Sequence, residues 1–120
     1  MNIKTFRDLI AWQKSMQLAK TVYTVTRTMP DDEKFGLTAQ MRRAAVAIPS
    51  NIAEGYGRQS LPDYLRFLKI ARGSLMELQT QLLLTESLAL TRVTPALKEL
   101  SRETDRVLQA LIRSLDHLRT

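Results

Sequence analysis

Only four prolines and four glycines interrupt this chain, and their placement leaves room for little except four long helices. A residue preceding proline is pushed out of helical geometry, so Met29-Pro30 closes a first segment that opens near Phe6, giving a helix over about 6–28. The acidic run Asp31-Asp32-Glu33 suits the positive end of a helix dipole and predicts a second helix over 32–56, with Pro49 as a kink point. The stretch from Gly55 to Gln59 reads as a connection. It leads into Ser60-Leu61-Pro62-Asp63, an N-cap serine, a first-turn proline and an acid at the capping-box position, which starts a third helix over 61–90. Thr94-Pro95 repeats the start signal for a fourth helix over 95–119.

Connections this short force successive helices to run antiparallel, so the expected fold is all-α, a single up-and-down four-helix-bundle domain over 1–120. A hydrophobic content of 44% is enough for a packed core and too high for a disordered chain. The third helix supplies a core stripe in Tyr64, Leu68, Ala71, Leu75, Leu78 and Leu82; the fourth supplies Leu97, Leu100, Leu108, Leu111, Leu115 and Leu118. The first helix carries two stripes. Leu9, Trp12, Met16, Ala19 and Tyr23 form one, and Ala11, Leu18, Val22 and Val25 lie about 130° around the axis. A bundle needs one apolar face per helix, so the surplus predicts a homo-oligomer with Leu18, Val22 and Val25 in its interface.

The residue types argue for binding rather than catalysis. Without cysteine there is no disulfide, thiolate metal site or thiol nucleophile. The single histidine, His117, has no Glu three residues before it, carboxylates are dispersed, and no Gly-rich phosphate loop is present. Neither an enzyme, a metal nor a cofactor is therefore expected. The N-terminus meets Lys14 before any secretory apolar region, and no apolar run approaches the roughly 20 residues that span a bilayer, which predicts a cytoplasmic chain without a membrane partner. The net charge of +6 favours a polyanion, RNA or DNA, through counterion release. Arg102, Arg106 and Arg113 are offset by Glu99 and Glu103 on the same helix. Arg58, Arg66, Lys69 and Arg72 have no acid interleaved between Arg66 and Arg72 and form the candidate phosphate-contacting set. Most aromatics fall on core faces, so contacts are expected to be electrostatic and weakly sequence-dependent.

The segment QMRRAAVAIPSNIAEG, residues 40–55, places Leu37, Met41, Ala45, Ile48 and Ile52 on one helix face and Arg43, Ala47, Asn51 and Glu54 on the other. Small residues around the polar set, with Gly73, Ser74 and Glu77 on the third helix, predict a buried structural network of Arg43, Asn51, Glu54 and Glu77 that fixes register.

Together, FRDLIAWQKSMQLAKTVY, QMRRAAVAIPSNIAEGYGR and YLRFLKIARGSLMELQTQL closely resemble the bacterial four-helix-bundle family that includes proteins encoded in intervening sequences of 23S ribosomal RNA genes. The resemblance implies an antiparallel bundle forming a homopentameric, barrel-like ring. It extends in architecture to the accessory variability proteins of diversity-generating retroelements, basic pentamers that associate with a reverse transcriptase and its RNA. Arg43, Asn51, Glu54, Gly55, Gly73, Ser74 and Glu77 match the family pattern, and Ala47 stands where that pattern often has Ser. The function expected is a basic nucleic-acid-binding accessory module, or alternatively a protein-interaction scaffold.

Overall fold

Four helices pack in sequence order around one apolar core in the computed structural model, which describes residues 2–119. They are α1 (Ile10–Thr26), α2 (Leu37–Tyr56), α3 (Leu61–Ser87) and α4 (Pro95–Asp116). Each packs on its chain neighbours, most extensively α2 on α3, and α1 against α4 closes the bundle. The antiparallel order shows in the cross-links between α3 and α4: Arg72 meets Asp105, Gln79 meets Ser101, and Glu86 meets Lys98. As one helix advances the other retreats. The result is elongated, 48 × 24 × 22 Å, as helices of about 1.5 Å per residue require. Among the described residues there is no strand, and no helix is long and apolar enough to cross a membrane.

The start signals of α3 and α4 operate as expected. Ser60 Oγ accepts from the Asp63 amide at 3.2 Å and Thr94 Oγ1 from the Leu97 amide at 3.1 Å. The reciprocal half of the capping box at Ser60 does not form, because the Asp63 carboxylate is taken by arginines instead. A complete box forms earlier, where Thr5 accepts from Arg7 and the Asp8 carboxylate accepts from the Lys4 and Thr5 amides.

Two helix starts differ from the expected positions. Residues Phe6–Asp8 form a separate 3₁₀ turn, and extended backbone at Leu9 (ψ 124°) delays α1 until Ile10. Asp31–Glu33 likewise form a 3₁₀ turn rather than the first turn of α2. Gly36 breaks the path at φ −104°, ψ −115°, and Glu33 reaches over it to accept from the Leu37 amide at 3.1 Å. The acids thus cap α2 from outside. The helix then runs through Pro49, whose missing N–H leaves the Ala45 carbonyl without its usual donor.

Most of the core faces of α2, α3 and α4 agree with the periodicity, and Met41, Ala45, Ile48, Ile52, Leu68, Leu75, Leu78, Leu97 and Leu108 are fully enclosed; Leu118, expected on the α4 stripe, lies in a 3₁₀ turn beyond the helix and is 69% exposed. On α1 the two stripes exchange roles. Leu18 and Val22 are completely buried inside the protomer, and Val25 packs against the same core, so the assignment of these three to a subunit interface is overturned. Ser15 and Thr26 complete this inward stripe, each satisfying its hydroxyl on a carbonyl of its own helix, Trp12 and Val22 respectively. Polar residues on the true core face made it look shorter in sequence than it is. The other stripe turns partly outward, leaving Trp12, Met16 and Tyr23 accessible.

Candidate nucleic-acid interface

Three of the four cations proposed as phosphate contacts are brought together with carboxylates. Asp63, in the first turn of α3, accepts from Arg66 Nε and a terminal nitrogen at 3.0 and 2.8 Å and lies 3.6 Å from Arg58 Nε. Arg58 also approaches Glu54 at 3.9 Å. Both guanidinium groups sit over the ring of Phe67, 4.5 and 4.6 Å from its centroid. Arg72 bonds Asp105 at 2.9 Å across the α3–α4 seam, and this pairing raises the arginine's pKa further above its ordinary range, first through the hydrogen bond and then through charge attraction. Lys69 alone is exposed and outside any ion pair. The expectation of an uncompensated cluster is therefore corrected. Its acids come from the preceding turn and from another helix, and Arg58, Arg66 and Arg72 fasten the α2–α3 connection and α4 to α3.

The polar network is also not formed. Arg43 is exposed and makes no hydrogen bond or ion pair. Asn51 donates to its own helix at Ala47 O, Glu54 lies beside Arg58, and Glu77 accepts from Gln81 at 3.1 Å. Arg43, Asn51 and Glu54 share a side of α2 away from its buried Met41, Ala45, Ile48 and Ile52, and Arg43, Glu54 and, on α3, Glu77 are exposed. Of the two glycines inside α2 and α3, close approach of another helix occurs at Gly55. A Cβ there would lie 2.8 Å from Phe67 Cβ and 3.1 Å from the Tyr64 carbonyl oxygen, whereas one at Gly73 would meet nothing within 4 Å.

Two accessible features had no clear sequence signal. A groove of about 590 Å³ runs between α1 and α2, floored by Trp12, Met16, Tyr23, Val46, Pro49 and Ala53, with Lys20 and Arg27 on its rim. Trp12 is steadied by an edge-on contact with Phe6 at 5.2 Å. At the end of this groove Arg42 donates to Thr26 Oγ1 at 2.9 Å and lies 4.6 Å over the Tyr23 ring. Beyond it, Phe35 is 90% exposed. A hydrophobic side chain between two helices normally reads as core, so nothing in the sequence marks Phe35 as exposed.

The family model described as 23S rRNA-intervening sequence protein matches residues 7–113. No curated protein matches the sequence. Among solved structures, a protein with unknown function from the S23 ribosomal protein family of Bacteroides thetaiotaomicron VPI-5482, determined at 1.70 Å, is similar in fold. It superposes with a TM-score of 0.77 at 23% identity, over 87% of this chain and 96% of that one.

Proposed function

The chain belongs to the family of 23S rRNA-intervening sequence proteins, and on that premise we propose that it is a non-catalytic, homo-oligomeric RNA-binding accessory module. The observation that carries the reading is the distribution of a surplus of 18 cations over 12 acids. Lys20, Arg27, Lys34, Arg42 and Arg43 are not in ion pairs within the described residues and gather on α1, α2 and the turn joining them, whereas Lys4, Arg7, Arg92, Arg106 and Arg113, also outside ion pairs, are dispersed over other segments. Cations without carboxylate partners are those free to displace counterions from phosphates. Lys69 remains the member of the original set able to contribute in the same way.

Assembly into a pentamer is part of the proposal. The α1–α2 groove, rather than Leu18 and Val22, is the surface with apolar residues to spare. Repetition around a ring would multiply a modest phosphate affinity when one strand engages several subunits. A scaffold role is supported by a separate observation: Leu83, Leu84 and Leu88 are 65%, 47% and 57% exposed near the end of α3, an apolar surface suited to a protein partner such as a reverse transcriptase.

An electrophoretic shift with single-stranded RNA tests the main reading. Binding should weaken steeply with salt, and charge reversal at Arg27 and Arg43 should reduce it more than Arg66→Glu, because Arg66 is already neutralised by Asp63. No shift at low salt rejects the RNA reading and leaves the scaffold.

A further inference from the structure

We propose that the corner joining α1 to α2 is a nucleotide subsite for single-stranded nucleic acid, holding a backbone phosphate in a small basic cavity while a base stacks on Phe35. This inference rests on the RNA-binding reading and says where on the molecule a strand is held. The cavity, about 140 Å³, has room for several waters at roughly 30 Å³ each and therefore for a phosphoryl group. Arg27, Lys34 and Arg42 line it, none in an ion pair, and Asp31 is the one acid beside them. Arg42 is held in place by Thr26 Oγ1 and the Tyr23 ring, so its remaining donors are preorganised.

Thr38 gives the cavity a ligand-seeking group. Thr38 lines the same cavity as a residue only 7% exposed, and its hydroxyl is enclosed and has no hydrogen-bond partner. Elsewhere in the helices Thr21, Thr24, Thr26, Thr80, Thr85 and Thr104 all donate to the carbonyl four residues earlier. Thr38 does not, since residue 34 lies in the turn before α2 rather than in the helix. A buried hydroxyl without a partner is costly, so a rotation of the Thr38 side chain that brings it to a bound phosphate oxygen would be favourable. The Leu37 amide at the N-terminal end of α2 is already taken by Glu33, so the attraction for a phosphate comes from Arg27, Lys34 and Arg42. The opposing carbonyl end of α1 is occupied, as Thr24, Val25 and Thr26 oxygens accept from the Arg27, Thr28 and Met29 amides.

Phe35 supplies the second half of the subsite. Its ring is 90% exposed, with Lys34 Nζ 5.6 Å from the centroid, so the aromatic platform and a cavity-lining cation are adjacent. A charged track with an exposed ring is the arrangement that holds single strands, with stacking worth about 1–3 kcal/mol per base.

Fluorescence anisotropy with a labelled oligouridylate, on the full chain, decides the matter. Phe35→Ala and Lys34→Gln alter exposed side chains and should fold normally. The first should weaken binding about tenfold, the fold-change matching 1.4 kcal/mol. Asp31→Asn should tighten it, because it removes the one acid facing the phosphate. In isotope-labelled protein, the strand should shift the Thr38 amide resonance, and Phe35→Ala should diminish that shift. Wild type binding with both Phe35→Ala and Lys34→Gln unimpaired overturns the subsite while leaving the RNA reading intact. If inorganic phosphate moves Thr38 but the oligonucleotide does not, the cavity serves a small anion and the strand assignment is overturned. A change of assembly mass on Phe35→Ala makes the residue an interface contact and overturns it too. Failure of the wild type to bind any strand rejects both readings together.

Discussion

Tyr64 shows how much a single side chain's surroundings alter its chemistry. It stands edge-on to Tyr56, with ring centroids 6.1 Å apart, and burial, helped by that neighbour, pushes its pKa up to about 12. An unfolded tyrosine ionises near 10, so between about pH 10 and 12 the unfolded chain loses this proton while the folded one keeps it. Stability from this group is complete below about pH 10 and falls as pH rises through that window. Urea midpoints measured across it should decline less in Tyr64→Phe than in wild type; parallel profiles would mean the phenol is solvated. The same scale explains why the candidate cation set was misread. Arg72 and Asp105 are 33 positions apart and become partners only when α3 and α4 pack, whereas Asp63 lies close in sequence but its capping-box position points to a role at the helix start.

At the scale of elements, two glycines in helices give opposite expectations from the same substitution. Alanine normally gains about 1 kcal/mol over glycine inside a helix. At Gly73, where a Cβ meets nothing, that gain should be realised. At Gly55 the methyl collides with Phe67 and with backbone at Tyr64, and overpacking of about 1–3 kcal/mol exceeds the gain, so Gly55→Ala should lower stability. Thermal melts of the two variants check both signs. Nothing local in the sequence distinguishes the two glycines; what a Cβ would meet at each position does. The helix starts at Ser60 and Thr94 were legible because a cap is a local hydrogen bond between residues three apart. The start of α2 was not, because a dipole argument welcomes Asp31–Glu33 equally inside the helix or just before it, and Gly36 decides the matter through its backbone angles. At the other end of α3, Ala89 takes a left-handed φ of 53° so that the Ala89 and Leu90 amides can close on Glu86 and Thr85 carbonyls. No glycine marked that stop in the sequence.

For the whole molecule, the exchange of stripes on α1 changes what a mutation should do. Leu18→Ala removes a fully enclosed side chain and should cost about 2–5 kcal/mol of protomer stability, seen as a lower denaturation midpoint. Met16→Glu, on the groove, should leave the protomer folded and, if the groove joins subunits, dissociate the assembly. Light scattering coupled to size exclusion reads this directly. Wild type at about five times 13.7 kDa with Met16→Glu at the single-chain mass supports the groove-built ring; wild type eluting as a single chain rejects it.

The sequence alone determined the number of helices, two of their starts, most of the inward faces of α2, α3 and α4, and the family, because breakers, caps and periodicity act over a few residues. Tertiary structure decided which of the two α1 stripes faces inward, which cations are neutralised and which aromatic is exposed. Those outcomes depend on which surfaces other helices cover. Ser15 and Thr26 can join a core face only because their hydroxyls bond carbonyls within α1, and Arg58, Arg66 and Arg72 cease to be available cations once Asp63 and Asp105 are placed beside them.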